Sequence, residues 1–598
     1  MSQSEPQPCE GGPVQDDAAR TGETAPQQKG QAPSAPQALP IEAACAPAPA
    51  PNGSQDSAPV AAWSWKPQLR NNYLVMAVVA GAIAIFLVCH AADLLDNDIW
   101  FILATGREVV QHGIPYTNPF ALHEGLGIVV QQWVPCVIAY GLYSLGGFVA
   151  LGLWTLLLAG LLVLSLYRLG RLLKGDRFGG EWLLAAIALA LPALMTYVSM
   201  RPHLYTMLAF TWLIYFCERY RRSGRMGWLV GCVALTAAHI NFQMAMAPMD
   251  VAIVGCYWLP DLLAPLHRRG RCEKVQLADA AYKRWPLLVC MLACALALLA
   301  NPYGLDGALY VAKSYGAAGY NGFILEMNPL APWGLSGFGG MAAVVMLVLA
   351  ALAAGKRGLG RIDAPLTLLA FGVGLMAFSH VRNVWLIALF ALPLAMSVMH
   401  GWSMDFSQLW GRPPLFRRKK AAAVAADPWA LGRRWQRWRN VALGATAVVC
   451  AGVAVAVVVL VWQAVPHWAG YEEESDKTAT GLVDYIDQNE DDPASVRLFN
   501  PFNVGGYVEW RGYKAFMDPR PELWNSAMTG AETDYYNEYV DMMRGDWTDR
   551  DFKEFLERYD FDYLLVEKDT KLETYLKDFQ SDYASLLGTG NYVLWGRK

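Results

Sequence analysis

The feature that most constrains this chain is a succession of apolar runs, most of them roughly 17 to 25 residues long, the length an α-helix needs to cross a lipid core. Short loops rich in arginine and lysine separate them. Eleven such runs can be placed, at 73–90, 145–169, 182–199, 203–216, 228–239, 248–257, 285–300, 337–354, 364–378, 384–399 and 441–465. Basic residues gather after every second run: Arg168, Arg171, Lys174 and Arg177, then Arg219, Arg221, Arg222 and Arg225, then Arg268, Arg269 and Arg271, then Lys356, Arg357 and Arg361, and finally Arg417, Arg418, Lys419 and Lys420. Short basic loops stay on the cytoplasmic side, so this alternation predicts a cytoplasmic amino terminus and an exported carboxyl-terminal segment. The count closes only if the apolar piece 129–143 does not cross and lies instead in the outer interface.

Composition supports a polytopic α-helical membrane protein, because 55% of the residues are hydrophobic and 17% charged. The net charge of -4 conceals a split: residues 466–598 hold 28 acids and 14 bases, the rest 24 acids and 34 bases. Residues 1–64 are rich in Pro, Ala, Gln and Gly and cannot bury enough apolar surface to offset their ordering entropy, so a disordered cytoplasmic tail is expected there. The transmembrane body is expected over 65–465, with a large first outer loop at 91–144. In 466–598 acidic helical patterns (478–488, 550–559, 571–579) alternate with short β-type runs (496–499, 514–517, 563–566, 592–595), the signature of a small exported α/β domain. The eleven cysteines show no paired zinc-ligand spacing and imply no disulfide framework. The basic loops are accounted for by topology, so no nucleic-acid partner is expected; Arg417 to Lys420 with Arg433, Arg434, Arg437 and Arg439 suit anionic lipid headgroups.

Topology then sorts the polar residues at span ends, which are costly unless they face water or a partner. One set falls outside together: Asp93, Asp96 and Asp98 of the first loop, Gln131 and Gln132, Arg201 and His203, His239 and Asn241, Asn301, Tyr303 and Glu326, and His380, Arg382 and Asn383. A lined cavity is expected if these spans pack together. Each group also has a plain structural role open to it. Asp96 can cap a helix that stops at Gly113, with Asp98 in its first turn. His239 and His380 can be packing histidines, and Asn301-Pro302-Tyr303-Gly304 can be simply a helix-ending turn. Arg201 and Arg382 oppose the charge bias at the outer face, which suits them to gripping an anion or to snorkelling toward outer phosphates.

Such a set suits displacement at a sugar's anomeric carbon, with a phosphate leaving and a hydroxyl attacking. A carboxylate would take the proton, and guanidinium groups, or a divalent cation held by Asp96 and Asp98, would meet the leaving charge. A hydrolase with two carboxylates would use the same residue types.

The motifs also carry a family likeness. Asp96-Asn97-Asp98-Ile99-Trp100, Ala104-Thr105-Gly106-Arg107, Gly113-Ile114-Pro115-Tyr116-Thr117-Asn118-Pro119-Phe120 and Gln132-Trp133 resemble the first outer loop of bacterial multi-spanning proteins related to the GT-C glycosyltransferases. Arg201-Pro202-His203, the stretch from His239 to Asn241, Asn301-Pro302-Tyr303-Gly304 and Arg382-Asn383 resemble other outer-face signatures of that group. Phe499 to Tyr507 and Phe516-Met517-Asp518-Pro519-Arg520 resemble its carboxyl-terminal domain. Three departures stand out: Trp100 is followed by Phe101 and Ile102 where the group commonly shows an aromatic pair and a histidine, Gln132 replaces the more usual acid before Trp133, and the later histidine is displaced relative to its asparagine. The resemblance implies a GT-C fold in the bacterial cytoplasmic membrane and a donor sugar on a polyprenyl phosphate. It implies Asp98 or Asp96 as the catalytic acid site and Arg201, His203 and Arg382 as donor-phosphate ligands, supported by His239, Asn241, Glu326 and His380. The acceptor would be a glycan, lipid or protein of the envelope. The alternative function is a non-catalytic membrane anchor whose exported domain binds envelope polymers or partners.

Overall fold

A computed structural model describes residues 72–175, 179–267, 283–316, 363–399, 402, 428–474, 479–579 and 582–598. The expected tail at 1–64, the eighth apolar run at 337–354, Glu326 and the loops 268–271, 356–361 and 417–420 lie outside the described residues. Residues Gln68–Lys598 form one unit by their internal contacts.

The body is helical, and its helices follow the apolar runs: α1 (Tyr73–Cys89), α2 (Ile99–His112), α3 (Trp133–Lys174), α4 (Gly180–Met195), α5 (His203–Ser223), α6 (Gly227–Phe242), α7 (Pro248–His267), α8 (Trp285–Ala297), α9 (Tyr310–Gly316), α10 (Ala364–Ser379), α11 (Val384–Ser397) and α12 (Pro428–Ala469). Among the described residues two helices are long and apolar enough to cross a membrane by length and composition, Trp133–Lys174 and Asn440–Ala469; five others are apolar but shorter. Leu145, Leu296, Val448, Val458 and Trp462 stand exposed on α3, α8 and α12, a surface that water penalises and lipid does not.

Of the piece expected to lie flat at 129–143, the residues from Trp133 onward form the first arm of α3. The arm is set off from the rest by non-helical backbone at Gly146 and Gly147, where φ reaches 59° at Gly147. Helix α2 stops at Gly113, whose φ of 89° suits glycine alone among common residues. Its first half, from Ile99 to Gly106, is entirely buried, so it is a core element. Gly106 makes this possible: a Cβ there would sit 2.1 Å from the Cys136 carbonyl oxygen of α3.

The carboxyl-terminal segment carries α13 (Thr480–Asn489), α14 (Gly505–Arg511), α15 (Tyr535–Arg544), α16 (Asp549–Tyr559) and α17 (Lys571–Asp578) around a four-stranded sheet. Its strands are β1 (Leu498–Phe499), β2 (Tyr563–Glu567), β3 (Tyr583–Thr589) and β4 (Tyr592–Arg597), in the order β1-β2-β4-β3. Strands β1 and β2 are parallel, and the other two pairings are antiparallel. The run expected as a strand at 514–517 makes only single bridges, Lys514 to Arg497 and Ala515 to Ala121. It serves as a seam: Ala515 N–H donates to the Phe120 carbonyl at 2.8 Å and Leu122 N–H to the Ala515 carbonyl at 2.9 Å. Around that seam Phe499, Phe516, Trp524, Phe555 and Phe561 share a core with Ala121, Leu126, Ile128 and Val130 of the first loop.

Candidate functional site

The first loop closes into a site because α2 begins abruptly. Asp96 Oδ1 accepts the Asp98 backbone N–H at 3.1 Å, which turns the chain into the helix. Its other oxygen takes Arg201 Nε at 2.5 Å, and Arg201 Nη2 lies 3.0 Å from Asp98 Oδ2. Asp98, expected in the first turn of the helix, occupies its N-cap position and makes no side-chain cap bond, and both acids are engaged with Arg201. Arg201 stands just before α5, held by the turn through Pro202 into the helix that His203 opens.

Asp98, Arg201, His203 and Arg382 line one cavity of about 320 Å³, together with Gln131, Gln132 and Gln243. His203 is buried, its ring packs against Tyr197 and Trp385, and its Nδ1 has no hydrogen-bond partner. Arg382 stands on the short 3-10 turn Val381–Asn383 between α10 and α11.

The remaining expected residues serve elsewhere. His239 is a buried link: its Nδ1 meets the Asp250 carboxylate at 3.0 Å, and its Nε2 meets Thr206 Oγ1 at 2.9 Å. Thr206 Oγ1 lies 2.5 Å from Gln243 Oε1, so the chain reaches the cavity wall only through Gln243. Asn241 accepts the Trp133 indole N–H at 3.0 Å and ties α6 to the Ala300 carbonyl at 2.7 Å. His380 is half-buried and lies off the cavity lining; burial lowers its basicity, with Arg382 adding to the effect. The stretch Asn301 to Gly304 is the turn its proline and glycine predict, closed by Gly304 N–H on the Asn301 carbonyl at 3.2 Å. Tyr303 from that turn donates to the Pro115 carbonyl at 2.8 Å and accepts Val130 N–H at 3.1 Å, pinning the first loop.

Sequence reasoning placed Asn503, Pro519 and Arg520 of the carboxyl-terminal segment in family-like motifs but gave none of them a site role, and it did not single out Pro521 or Glu522. Asn503, Pro519, Arg520, Pro521 and Glu522 all line the cavity. Arg520 bonds Asp518 at 2.8 Å through Nε, Glu509 at 2.7 Å and Thr105 Oγ1 of α2 at 3.1 Å, and its guanidinium lies 4.8 Å from the Phe101 ring centre. Burial holds the Glu509 carboxyl well above the usual carboxylate range; Asp518 pays the same burial penalty, but Arg520 draws it below that range. Glu522 accepts the Tyr310 hydroxyl at 2.8 Å and Gln131 Nε2 at 3.3 Å, and burial raises its carboxyl. The signal in the sequence was there: Asp518-Pro519-Arg520-Pro521-Glu522 is a charged run stiffened by two prolines.

Among the described residues no cluster of three or more His, Cys, Asp or Glu side chains is poised around a metal position. The cationic group that Asp96 and Asp98 share is Arg201.

No family model and no curated protein matches the chain. Solved structures with a similar course include the oligosaccharyltransferase of Archaeoglobus fulgidus in its apo form, at 12% identity and TM-score 0.44 over 84% of this chain and 70% of that one. The same archaeal enzyme, AglB, in complex with an inhibitory peptide and a dolichol-phosphate gives 11%, 0.46, 88% and 74%. ArnT from Cupriavidus metallidurans bound to undecaprenyl phosphate gives 13%, 0.45, 88% and 97%. At these identities and scores the likeness is one of outline, and nothing about donor or acceptor is taken from it.

Proposed function

We propose that this chain is a membrane glycosyltransferase of GT-C type that moves a sugar from a polyprenyl-phosphate donor to an envelope acceptor on the outer face of the bacterial cytoplasmic membrane. The observation that carries this reading is the meeting of Asp98, Arg201, His203 and Arg382, from three distant stretches of sequence, in one cavity. Helix α5 supports the orientation. Its 21 residues run from His203 at the cavity to the Arg221 and Arg222 end, a rise of about 30 Å that matches the hydrocarbon thickness. On this reading the amino terminus is cytoplasmic, about eleven spans form the body, and residues 466–598 form an exported α/β domain over the site.

The residues fit the chemistry in named roles. Arg201 and Arg382 would grip the donor phosphate, with His203 Nδ1 as a further polar contact. When Arg201 turns its Nη2 toward phosphate, Asp96 still holds its Nε, and Asp98 is released from the ion pair. Asp98 then takes the proton of the acceptor hydroxyl as that oxygen bonds to the anomeric carbon. The carbon–oxygen bond to phosphate breaks, and its electron pair leaves with the phosphate, where the guanidinium groups stabilise the charge.

The test is sugar transfer in membranes carrying Asp98→Asn, with insertion checked separately. Transfer should be lost; full transfer removes Asp98 from the mechanism. A second reading, a non-catalytic anchor whose exported segment binds envelope polymers, is favoured by the way Asp96 and Asp98 already satisfy Arg201. It requires Asp98→Asn to alter stability and leave the envelope glycans unchanged.

A further inference from the structure

The cavity wall is chemically lopsided. Arg201 and Arg382 offer donors suited to phosphate, whereas Glu522 and Gln131 offer acceptors. Gln131 spends Nε2 on the Glu522 carboxylate at 3.3 Å, which fixes the orientation of its amide. The Gln131 Oε1 atom is then buried without a partner, a condition that native proteins rarely leave unanswered. One oxygen of Glu522 takes both the Tyr310 hydroxyl and Gln131, and the carboxyl also meets its own backbone N–H.

We propose that Glu522 and Gln131 form a subsite for the hydroxyl groups of a saccharide, resting on the transferase reading above. The Glu522 carboxyl and the Gln131 amide oxygen belong to directly hydrogen-bonded side chains that line the same cavity, and both are acceptors suited to hydroxyl groups. A cationic ligand would meet three guanidinium groups in the cavity lining, Arg201, Arg382 and Arg520, of which Arg201 and Arg520 are each paired with two acids. A neutral polyol meets no such repulsion. Burial, which raises the Glu522 carboxyl, further weakens the attraction a cation would feel. Glu522 comes from the carboxyl-terminal segment, Gln131 from the first loop and Tyr310 from α9, so the subsite exists only where the three converge. It assigns the terminal segment a share in choosing the sugar, beyond covering the chamber.

The hydroxyls can belong to the donor sugar or to a saccharide acceptor, and two titrations separate these. Full-length protein in lipid nanodiscs is titrated with undecaprenyl phosphate, bare and carrying a hexose, a hexosamine or a pentose. It is then titrated with disaccharides of the same sugars at saturating undecaprenyl phosphate. In one arm at least one sugar-bearing probe should gain affinity from its sugar. E522Q and Q131L should each reduce that gain about tenfold while bare undecaprenyl phosphate binds as before. Loss in the first arm assigns the donor sugar, and loss in the second assigns the acceptor. Unchanged affinity in both arms overturns the subsite but leaves the transferase reading standing, whereas wild-type protein that does not bind undecaprenyl phosphate overturns both. If E522Q fails to insert, Q131L and Y310F decide: sugar affinity equal to wild type in both sinks the proposal, and a several-fold loss sustains it.

Discussion

Two clusters of one arginine and two acids reach this cavity, one through Arg201 and Asp98 and the other through Arg520, and they are built differently. The side chains of Arg201, Asp96 and Asp98 are 25%, 26% and 24% exposed. Those of Arg520, Glu509 and Asp518 are 11%, 0% and 0% exposed, sealed by Phe101, Phe120, Trp524 and Thr105. The same residue types thus serve two ends. Sealed, an ion cluster ties the carboxyl-terminal segment to α2, and removing one partner leaves buried charge uncompensated. Left open to a chamber, it gains little from its own pairing and keeps room for a ligand to exchange with.

That contrast can be broken most sharply at Asp98. Asp98→Asn is expected to reduce sugar transfer by about 10²- to 10⁴-fold while the midpoint of thermal unfolding in detergent hardly moves; a large loss of stability instead would place the open cluster with the sealed one. Arg520→Met should do the reverse, costing about 3–5 kcal/mol of stability, seen as a lowered unfolding midpoint before any assay of transfer. A stable Arg520→Met protein would mean that the sealed cluster is dispensable.

The third prediction sharpens the sealed side. His123 stacks on Tyr535 at 3.6 Å between ring centres and meets the Phe516 carbonyl at 3.2 Å. Burial lowers its pKa to about 4. The folded state therefore binds this proton less readily than the unfolded chain, whose histidine titrates near 6.5. The stability gained from the neutral ring is complete above about pH 6.5 and is lost as pH falls toward 4, by roughly 3 kcal/mol at most. Replacing His123 by Phe should flatten the pH dependence of unfolding in that window, and an unchanged slope would assign it to other groups. The smallest effect is expected at Asp96. Asp96→Asn removes one half-open ion pair and should shift stability by less than about 1 kcal/mol, with transfer falling mainly through a raised donor KM as Arg201 loses its anchor.

Much of this was legible from residue order. The apolar runs mark the helices, Gly113 ends α2, and the turn at Asn301 to Gly304 forms where proline and glycine put it. Three of the four acidic or basic side chains brought to the cavity from the body, Asp98, Arg201 and Arg382, stand out because charge at a span end needs a reason; on the terminal segment, where surface charge is ordinary, Glu522 is marked only by the proline-stiffened run Asp518 to Glu522. His239 and Asn241 look as prominent as His203 in the sequence, yet α6 turns them toward Asp250 and Trp133. Helical phase sets which face a side chain occupies, but the partner of that face is fixed by packing among distant elements.

The sequence alone determined the helical character of the body, the polar loop after α1 and the acidic terminal segment with its strands and helices, because hydrophobic period and loop charge are local properties. Only the tertiary structure decided that Asp98 and Arg201 touch, that Arg520 is a clamp and Glu522 faces the chamber, and that residues 514–517 stitch two segments together. These depend on contacts between residues hundreds of positions apart, whose geometry no local pattern encodes.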